Sequence, residues 1–213
     1  MKDIEEQIKK GTTTLGIVCK DGIVLAADRR SSMGYLIADQ SEKVLQIADF
    51  MAVTTAGLVS DIQLITKLIR AELELKLLRT GKEVSVKEAA NLLANILYVN
   101  IRRFSAVPGI VAFLLGGKDK DGFKLYELGP DGSILEATRF SSTGSGSPLA
   151  LGVLESSYKK DLSVDEGIKL AVKAINTAMK RDMPTGDGLD VVTITSKGIK
   201  KVFTKIVDIN IIA

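Results

Sequence analysis

What most constrains the folding of this chain is the way its apolar period changes, twice, from strand-like blocks to paired helices. Residues 12–19 and 23–27 read as strands rich in Thr, Ile and Val, with Asp21-Gly22 as a tight hairpin between them. Two more short strands follow around 43–47 and 51–55, and Ala56-Gly57 breaks the pattern. From about Ser60 the period lengthens. Ile62, Ile65, Ile69 and Leu73 fall at three- and four-residue steps, with Leu64, Leu68 and Leu75 beside them, so a long helix closes near Gly81. Ser85 with Glu88 three residues on is a capping box, and Ala89, Leu92, Leu93 and Ile96 form the stripe of a second helix. Strands return at 110–115, 123–126 and 133–137, the last two joined by the turn Gly129-Pro130-Asp131-Gly132. A short helix follows to about Tyr158, another capped by Ser163 and Glu166 runs to about Arg181, and strands at 191–195 and 200–203 close the domain. The order ββββ-αα-βββ-αα-ββ predicts α+β layers, not a doubly wound sheet. Two sheets face to face with helices outside would bury every apolar stripe.

The 213 residues suit one domain with a substantial core. Lys and Arg are scattered, the net charge is +3 and aromatics are 5%, so no basic, aromatic-studded face points to nucleic acid. The single cysteine, Cys19, excludes an internal disulfide and fits a buried strand position. Zinc sites need clustered Cys or His, which the sequence lacks. No apolar run reaches membrane-spanning length. The charged residues 1–10 lack the apolar stretch of a secretory signal. The expectation is a cytoplasmic chain with a short polar leader, either a loose terminus or a propeptide.

The chain has no histidine, so any hydrolytic nucleophile needs another base. Gly11-Thr12-Thr13-Thr14-Leu15-Gly16 offers one: cleavage after Gly11 would free the α-amine of Thr12 beside its own hydroxyl. An α-amine has a pKa of about 7.7–8.0 and can accept a proton near neutrality. Thr12 can equally be read as the first residue of a strand. Lys43 would stabilise an alkoxide on such a threonine and lower the pKa of its amine, with Asp28 holding the lysine. The other reading of Lys43 and Asp28 is a surface ion pair. Gly144-Ser145-Gly146-Ser147-Pro148 is either a bare helix start or an anion-cradling loop, without the Lys-Ser/Thr of a Walker motif. Asp182 follows the last helix, where an exposed turn is the plain alternative.

Together these segments resemble the β subunits of the proteasome core particle, of the archaeal type. The resemblance covers essentially the whole chain after the leader. It rests on the threonine segment, on Leu25-Ala26-Ala27-Asp28-Arg29-Arg30 and on Lys43-Val44-Leu45-Gln46-Ile47. It continues through Thr55-Ala56-Gly57-Leu58-Val59-Ser60-Asp61, Ser142-Thr143-Gly144-Ser145-Gly146-Ser147 and Val164-Asp165-Glu166-Gly167. It implies an α+β N-terminal-nucleophile hydrolase fold, a four-layer αββα sandwich, with a propeptide at 1–11 and a peptidase domain at 12–213. It implies self-cleavage at Gly11-Thr12 and a threonine endopeptidase working through an acyl-enzyme. Lys43 would be the cationic partner of Thr12, Asp28 would hold Lys43, and Ser145 and Asp182 would support the amine. The backbone N–H of Gly57 would donate to the oxyanion. Thr185-Gly186 stands where the family usually has Ser-Gly; the hydroxyl is kept, so the role of Thr185 is expected to survive. Asp187 adds a carboxylate nearby whose effect the sequence leaves open.

By the same resemblance the primary pocket is lined by Ser31, Leu45, Thr55, Val59 and Gln63, and is of medium size, uncharged and suited to apolar side chains. An extended substrate would pair along the strand edge near Ser32, Gly57 and Val59. Implied partners are α subunits, other β subunits in seven-membered rings, an unfolding ATPase reached through the α ring, and unfolded polypeptides. No metal, nucleotide or other cofactor is implied, and no nucleic acid or membrane. Two alternatives stay open: a β subunit that is never processed and serves as scaffold, and a different N-terminal-nucleophile hydrolase.

Overall fold

The computed structural model describes residues 11–33 and 36–207. Strands β1 (Thr14–Cys19), β2 (Gly22–Asp28), β3 (Arg30–Met33), β4 (Leu36–Gln40), β5 (Val44–Ala48) and β6 (Met51–Gly57) come first. Helices α1 (Val59–Thr80) and α2 (Val86–Arg102) follow, then β7 (Val111–Asp119), β8 (Gly122–Leu128), β9 (Ile134–Glu136) and β10 (Phe140–Thr143). Helices α3 (Ser147–Ser157) and α4 (Val164–Met179) lead into β11 (Gly188–Thr195) and β12 (Gly198–Ile206).

The long strands form two five-stranded sheets, ordered β10-β1-β2-β11-β12 and β5-β6-β7-β8-β9, and among the described residues β3 and β4 pair only with each other. Every pairing is antiparallel. Period-two alternation assigns the strand residues to separate cores. Ile23, Leu25 and Ala27 of β2 meet Val44, Ala52, Leu114 and Leu125 between the sheets. Val24 and Ala26 point the other way, into a core shared with Leu170, Ala171 and Ile175 of α4. Phe113 and Leu115 of β7 flank Leu114 and pack against Ile65, Ile69, Leu93 and Leu97 of α1 and α2. These three interfaces make four layers, helix pair, sheet, sheet, helix pair, which is the α+β sandwich expected.

The capping boxes are present at both places read from the sequence. Ser85 N–H donates to Glu88 at 2.9 Å and Ser163 N–H to Glu166 at 2.9 Å, so each helix starts one residue later. Gly81 ends α1 with a left-handed φ of 65°. Three expectations need correction. The first hairpin turns at Lys20-Asp21, with Cys19 opposite Gly22. Strands β3, β4 and β10 are additions to the elements read from the sequence. Leu64, Leu68 and Leu75 are exposed on α1, while Leu92 and Ile96 sit at the margin of the α2 stripe, whose centre is Ala90, Leu93, Ala94 and Leu97.

Thr66 lies on the buried face of α1, and among the described residues its hydroxyl has no hydrogen-bond partner. A buried unpaired hydroxyl costs about 1–3 kcal/mol. Thr66→Val keeps the shape and removes the hydroxyl, so it is expected to stabilise the isolated chain by about 1 kcal/mol in a urea titration. A lower midpoint for Thr66→Val would show that this hydroxyl is satisfied.

Candidate active site

Thr12 precedes β1, and the register of β1 on β2 sets Thr14 opposite Ala27, which brings Asp28 to the same sheet end. Thr13 and Asp28 are tied twice, Asp28 N–H to the Thr13 carbonyl at 3.1 Å and Thr13 N–H to Asp28 Oδ1 at 3.0 Å. Lys43 comes from the opposing sheet, just ahead of β5. Its Nζ donates to Asp28 Oδ1 at 2.7 Å and to Thr12 Oγ1 at 3.0 Å. Thr12 and Lys43 are 6% exposed and Asp28 is fully buried, so this is no surface ion pair. Burial pushes the Lys43 ammonium below the ordinary lysine value, and the Asp28 charge opposes that. Burial likewise pushes the Asp28 carboxyl up, opposed by Lys43 and by the N–H groups of Thr13 and Gly186. Each charge is what allows the other to persist here.

The Thr12 hydroxyl donates to the carbonyl of Gly11 at 2.7 Å. On the other side, Thr12 N–H donates to Ser145 Oγ at 3.2 Å, and Ser145 Oγ donates to Asp182 Oδ2 at 2.7 Å. Thr185 Oγ1 donates to the same Asp182 oxygen and shares a 2.7 Å hydrogen bond with Thr13 Oγ1. Thr13 is therefore a member of the cluster that sequence reasoning missed. The alternation of the threonine run was the available signal, since neighbours on a strand face opposite ways. Thr14 looks into the sandwich, bonded to Thr143 at 2.7 Å and Thr54 at 3.0 Å.

The glycine-rich loop serves approach to Thr12. Gly144 has φ 96°, and a Cβ there would lie 2.0 Å from the Thr12 carbonyl oxygen. Only glycine fits both constraints. Gly146 N–H donates to that carbonyl at 3.4 Å and is the N-cap of α3. The loop thus uses its backbone on the chain itself.

A cavity of about 220 Å³ opens beside Thr12. Ser31, Leu45, Thr55, Val59 and Gln63 all line it, as does Gly57. Ser32 lies in β3 opposite Ile37, and its side chain falls outside the described residues. Val59 opens α1 and so is not on a strand edge. Sequence reasoning did not anticipate two charged residues in the lining, Arg30 and Glu42. Both are paired with residues that do not line the cavity: Glu42 with Lys201 of β12 at 2.5 Å, Arg30 with Asp187 at 2.8 Å. Of the leader, only Gly11 falls within the described residues. Among the described residues no group of three or more His, Cys, Asp or Glu could hold a metal ion, and no helix is long and apolar enough to cross a membrane.

Residues 8–194 match the proteasome subunit family. The chain is 48% identical over 195 residues to a proteasome subunit beta of Ferroglobus placidus, covering 91% of each chain. It is 48% identical over 193 residues to one of Methanocaldococcus vulcanius, covering 90% of this chain and 85% of the relative. The proteasome subunit beta of Methanosarcina mazei is 46% identical over 193 residues, covering 90% of each.

Proposed function

This chain belongs to the proteasome subunit family as a β subunit of the archaeal type, and from that premise we propose that it is a catalytic subunit, a threonine endopeptidase with Thr12 as nucleophile. The observation that carries the reading is the buried line Asp28–Lys43–Thr12, with the lysine ammonium bonded to both neighbours.

Activation is cleavage of its own Gly11-Thr12 bond. The Thr12 oxygen attacks the Gly11 carbonyl carbon, the C–N bond breaks with its proton going to the Thr12 nitrogen, and water hydrolyses the resulting ester. Residues 1–11 leave, and the domain from Thr12 onward is the mature enzyme. The freed α-amine accepts the hydroxyl proton as Thr12 attacks a substrate carbonyl. Lys43 stabilises the developing alkoxide by its charge. The amine takes the place of the N–H now bonded to Ser145, so Ser145, Asp182 and Thr185 hold it in position. The Gly57 N–H receives the oxyanion of the tetrahedral intermediate. The departing peptide amine carries off the proton, and water then hydrolyses the acyl-enzyme.

The cavity beside Thr12 receives the side chain ahead of the scissile bond. Leu45, Val59 and Ile62 give it apolar walls. With Arg30 and Glu42 engaged elsewhere, it favours medium-sized uncharged side chains. The working particle is a cytoplasmic assembly of seven-membered β rings between α rings, fed with unfolded polypeptide by an ATPase at the α ring. No metal or nucleotide enters the reaction of this subunit.

Intact mass of the chain co-expressed with its α subunit tests the reading. Loss of residues 1–11, together with hydrolysis of a fluorogenic peptide, is expected. A full-length mass in every assembly, including one with a second β subunit, would favour the scaffold alternative. Processing only beside a second β subunit would make assembly the trigger.

A further inference from the structure

Asp187 lies in the loop between α4 and β11 with a left-handed backbone, φ 59°. A residue with a side chain takes up that conformation at a cost, which is smallest for Asn and Asp. The Asp187 carboxylate grips the Arg30 guanidinium with both oxygens, Nη2 to Oδ1 at 2.8 Å and Nε to Oδ2 at 3.1 Å. Arg30 Nη1 donates to the Met183 carbonyl at 2.7 Å. The two side chains are only 20% and 13% exposed. Gly186 is packed against the guanidinium, where a Cβ would come within 2.5 Å of Cζ. The fork therefore ties residues 183–187 to the start of β3.

What it ties down is one oxygen of Asp28. The N–H groups of Arg30 and Gly186 donate to Asp28 Oδ2 at 3.1 and 3.0 Å. Oδ1 is left for Lys43 and the Thr13 N–H. A carboxylate with both oxygens fixed cannot rotate, and its rotation sets where the Lys43 ammonium stands against Thr12 Oγ1.

We propose that the Arg30–Asp187 fork is a positioning device for the nucleophile, acting on Lys43 through the carboxylate orientation of Asp28. Asp187 acts at a distance, since its carboxylate bonds go to Arg30. The proposal rests on the reading of Thr12 as nucleophile. The charges acting on Asp28 and Lys43 are each other's, those of Arg30 and Asp187, that of Asp182 and, once residues 1–11 have left, that of the Thr12 amine.

Asp187→Gly keeps the left-handed backbone and deletes the fork. Arg30→Lys keeps the charge but cannot bind with two prongs. Both are measured in the assembled particle with a fluorogenic peptide across pH. Asp187→Gly is expected to lower kcat at least about fivefold with KM within about twofold, because misplacing a catalytic group impairs the chemical step more than binding. A displaced Lys43 ammonium lowers the pKa of the freed Thr12 amine less, so the acid limb of kcat, which reports that base, moves to higher pH. Arg30→Lys shifts kcat and the acid limb the same way, and the double variant is no worse than the more impaired single one, because one interaction is being removed.

Thr12→Ala in the same particle separates the two readings. If it retains hydrolysis, the nucleophile reading fails whatever Asp187 does. If it is inactive while Asp187→Gly and Arg30→Lys keep wild-type kcat and acid limb, the positioning proposal is overturned. Should Asp187→Gly not assemble, Asp187→Asn, which also tolerates the left-handed backbone, replaces it under the same criteria.

Discussion

Thr12→Ala is expected to leave the chain at full length in the assembled particle and without measurable peptide hydrolysis. Both losses follow from one atom. The hydroxyl is the group that lies between the Lys43 ammonium and the Gly11 carbonyl, at 3.0 and 2.7 Å. The substitution removes little else. Lys43 keeps Asp28 at 2.7 Å, and Ser145 keeps the Thr12 N–H. Folding stability should therefore change by no more than about 1 kcal/mol, the net worth of an ordinary hydrogen bond. Mass spectrometry, peptide hydrolysis and a thermal melt on one preparation read all three. Loss of activity with a collapsed melting temperature would assign Thr12 a structural role. Processing that persists in Thr12→Ala would mean another group attacks Gly11.

Lys43→Met is expected to lower kcat/KM by about 10²–10³-fold, the usual consequence of removing a donor aimed at developing negative charge. It also isolates a buried carboxylate. Breaking one side of a buried ion pair costs about 3–5 kcal/mol. The N–H donors of Thr13, Arg30 and Gly186 remain on Asp28, so the lower end of that range is expected. The sign of the pH dependence follows. Burial already pushes the Asp28 carboxyl above its ordinary value, and Lys43 is the largest influence opposing it. Without Lys43 the folded-state pKa rises further, so above the unfolded value of about 3.9 the folded chain binds more protons than the unfolded one. Lys43→Met should be most stable below that value and lose stability as pH rises through the raised pKa. Lys43→Met/Asp28→Asn should recover part of the lost stability at neutral pH while recovering none of the lost activity. Denaturant midpoints at pH 4 and pH 7 decide the matter. A double variant no more stable than Lys43→Met would show that the carboxylate is not the source of the cost.

The layers were legible in the sequence because each rests on local signals. The two capping boxes mark their helix starts, and the unbroken apolar run Ile23-Val24-Leu25-Ala26-Ala27 marks β2 as a strand buried on both faces, which the structure divides between two cores. Strands β3 and β4 were not legible, because among the described residues they pair only with each other, and their sequences show no clean alternation of apolar and polar residues. Strand β10 reads Phe-Ser-Ser-Thr, too polar to suggest burial, yet Ser141, Ser142 and Thr143 are buried beside β1. The outward Leu64 and Leu68 misled because α1 carries leucine on both faces. At the candidate site, Thr12, Asp28 and Lys43 were singled out from their chemistry and then matched to family motifs, and their convergence is a matter of geometry. The role of Asp187 was beyond sequence reasoning. It meets Arg30 across 157 positions only because β11 pairs with β2, setting Leu189 opposite Asp28.

The partners of the threonine segment are spread along almost the whole polypeptide: Lys43 is 31 positions from Thr12, Ser145 is 133, and Thr185 is 172 from Thr13. A site built from such distant pieces forms late, because long-range pairings must close large loops before they bring any stabilisation. During synthesis the Thr12 hydroxyl is made well before Ser145, Asp182 and Thr185, which complete its surroundings. On the proposed reading of Thr12 as nucleophile, a nascent chain therefore carries that nucleophile without the means to use it, and the order of translation itself holds back premature chemistry.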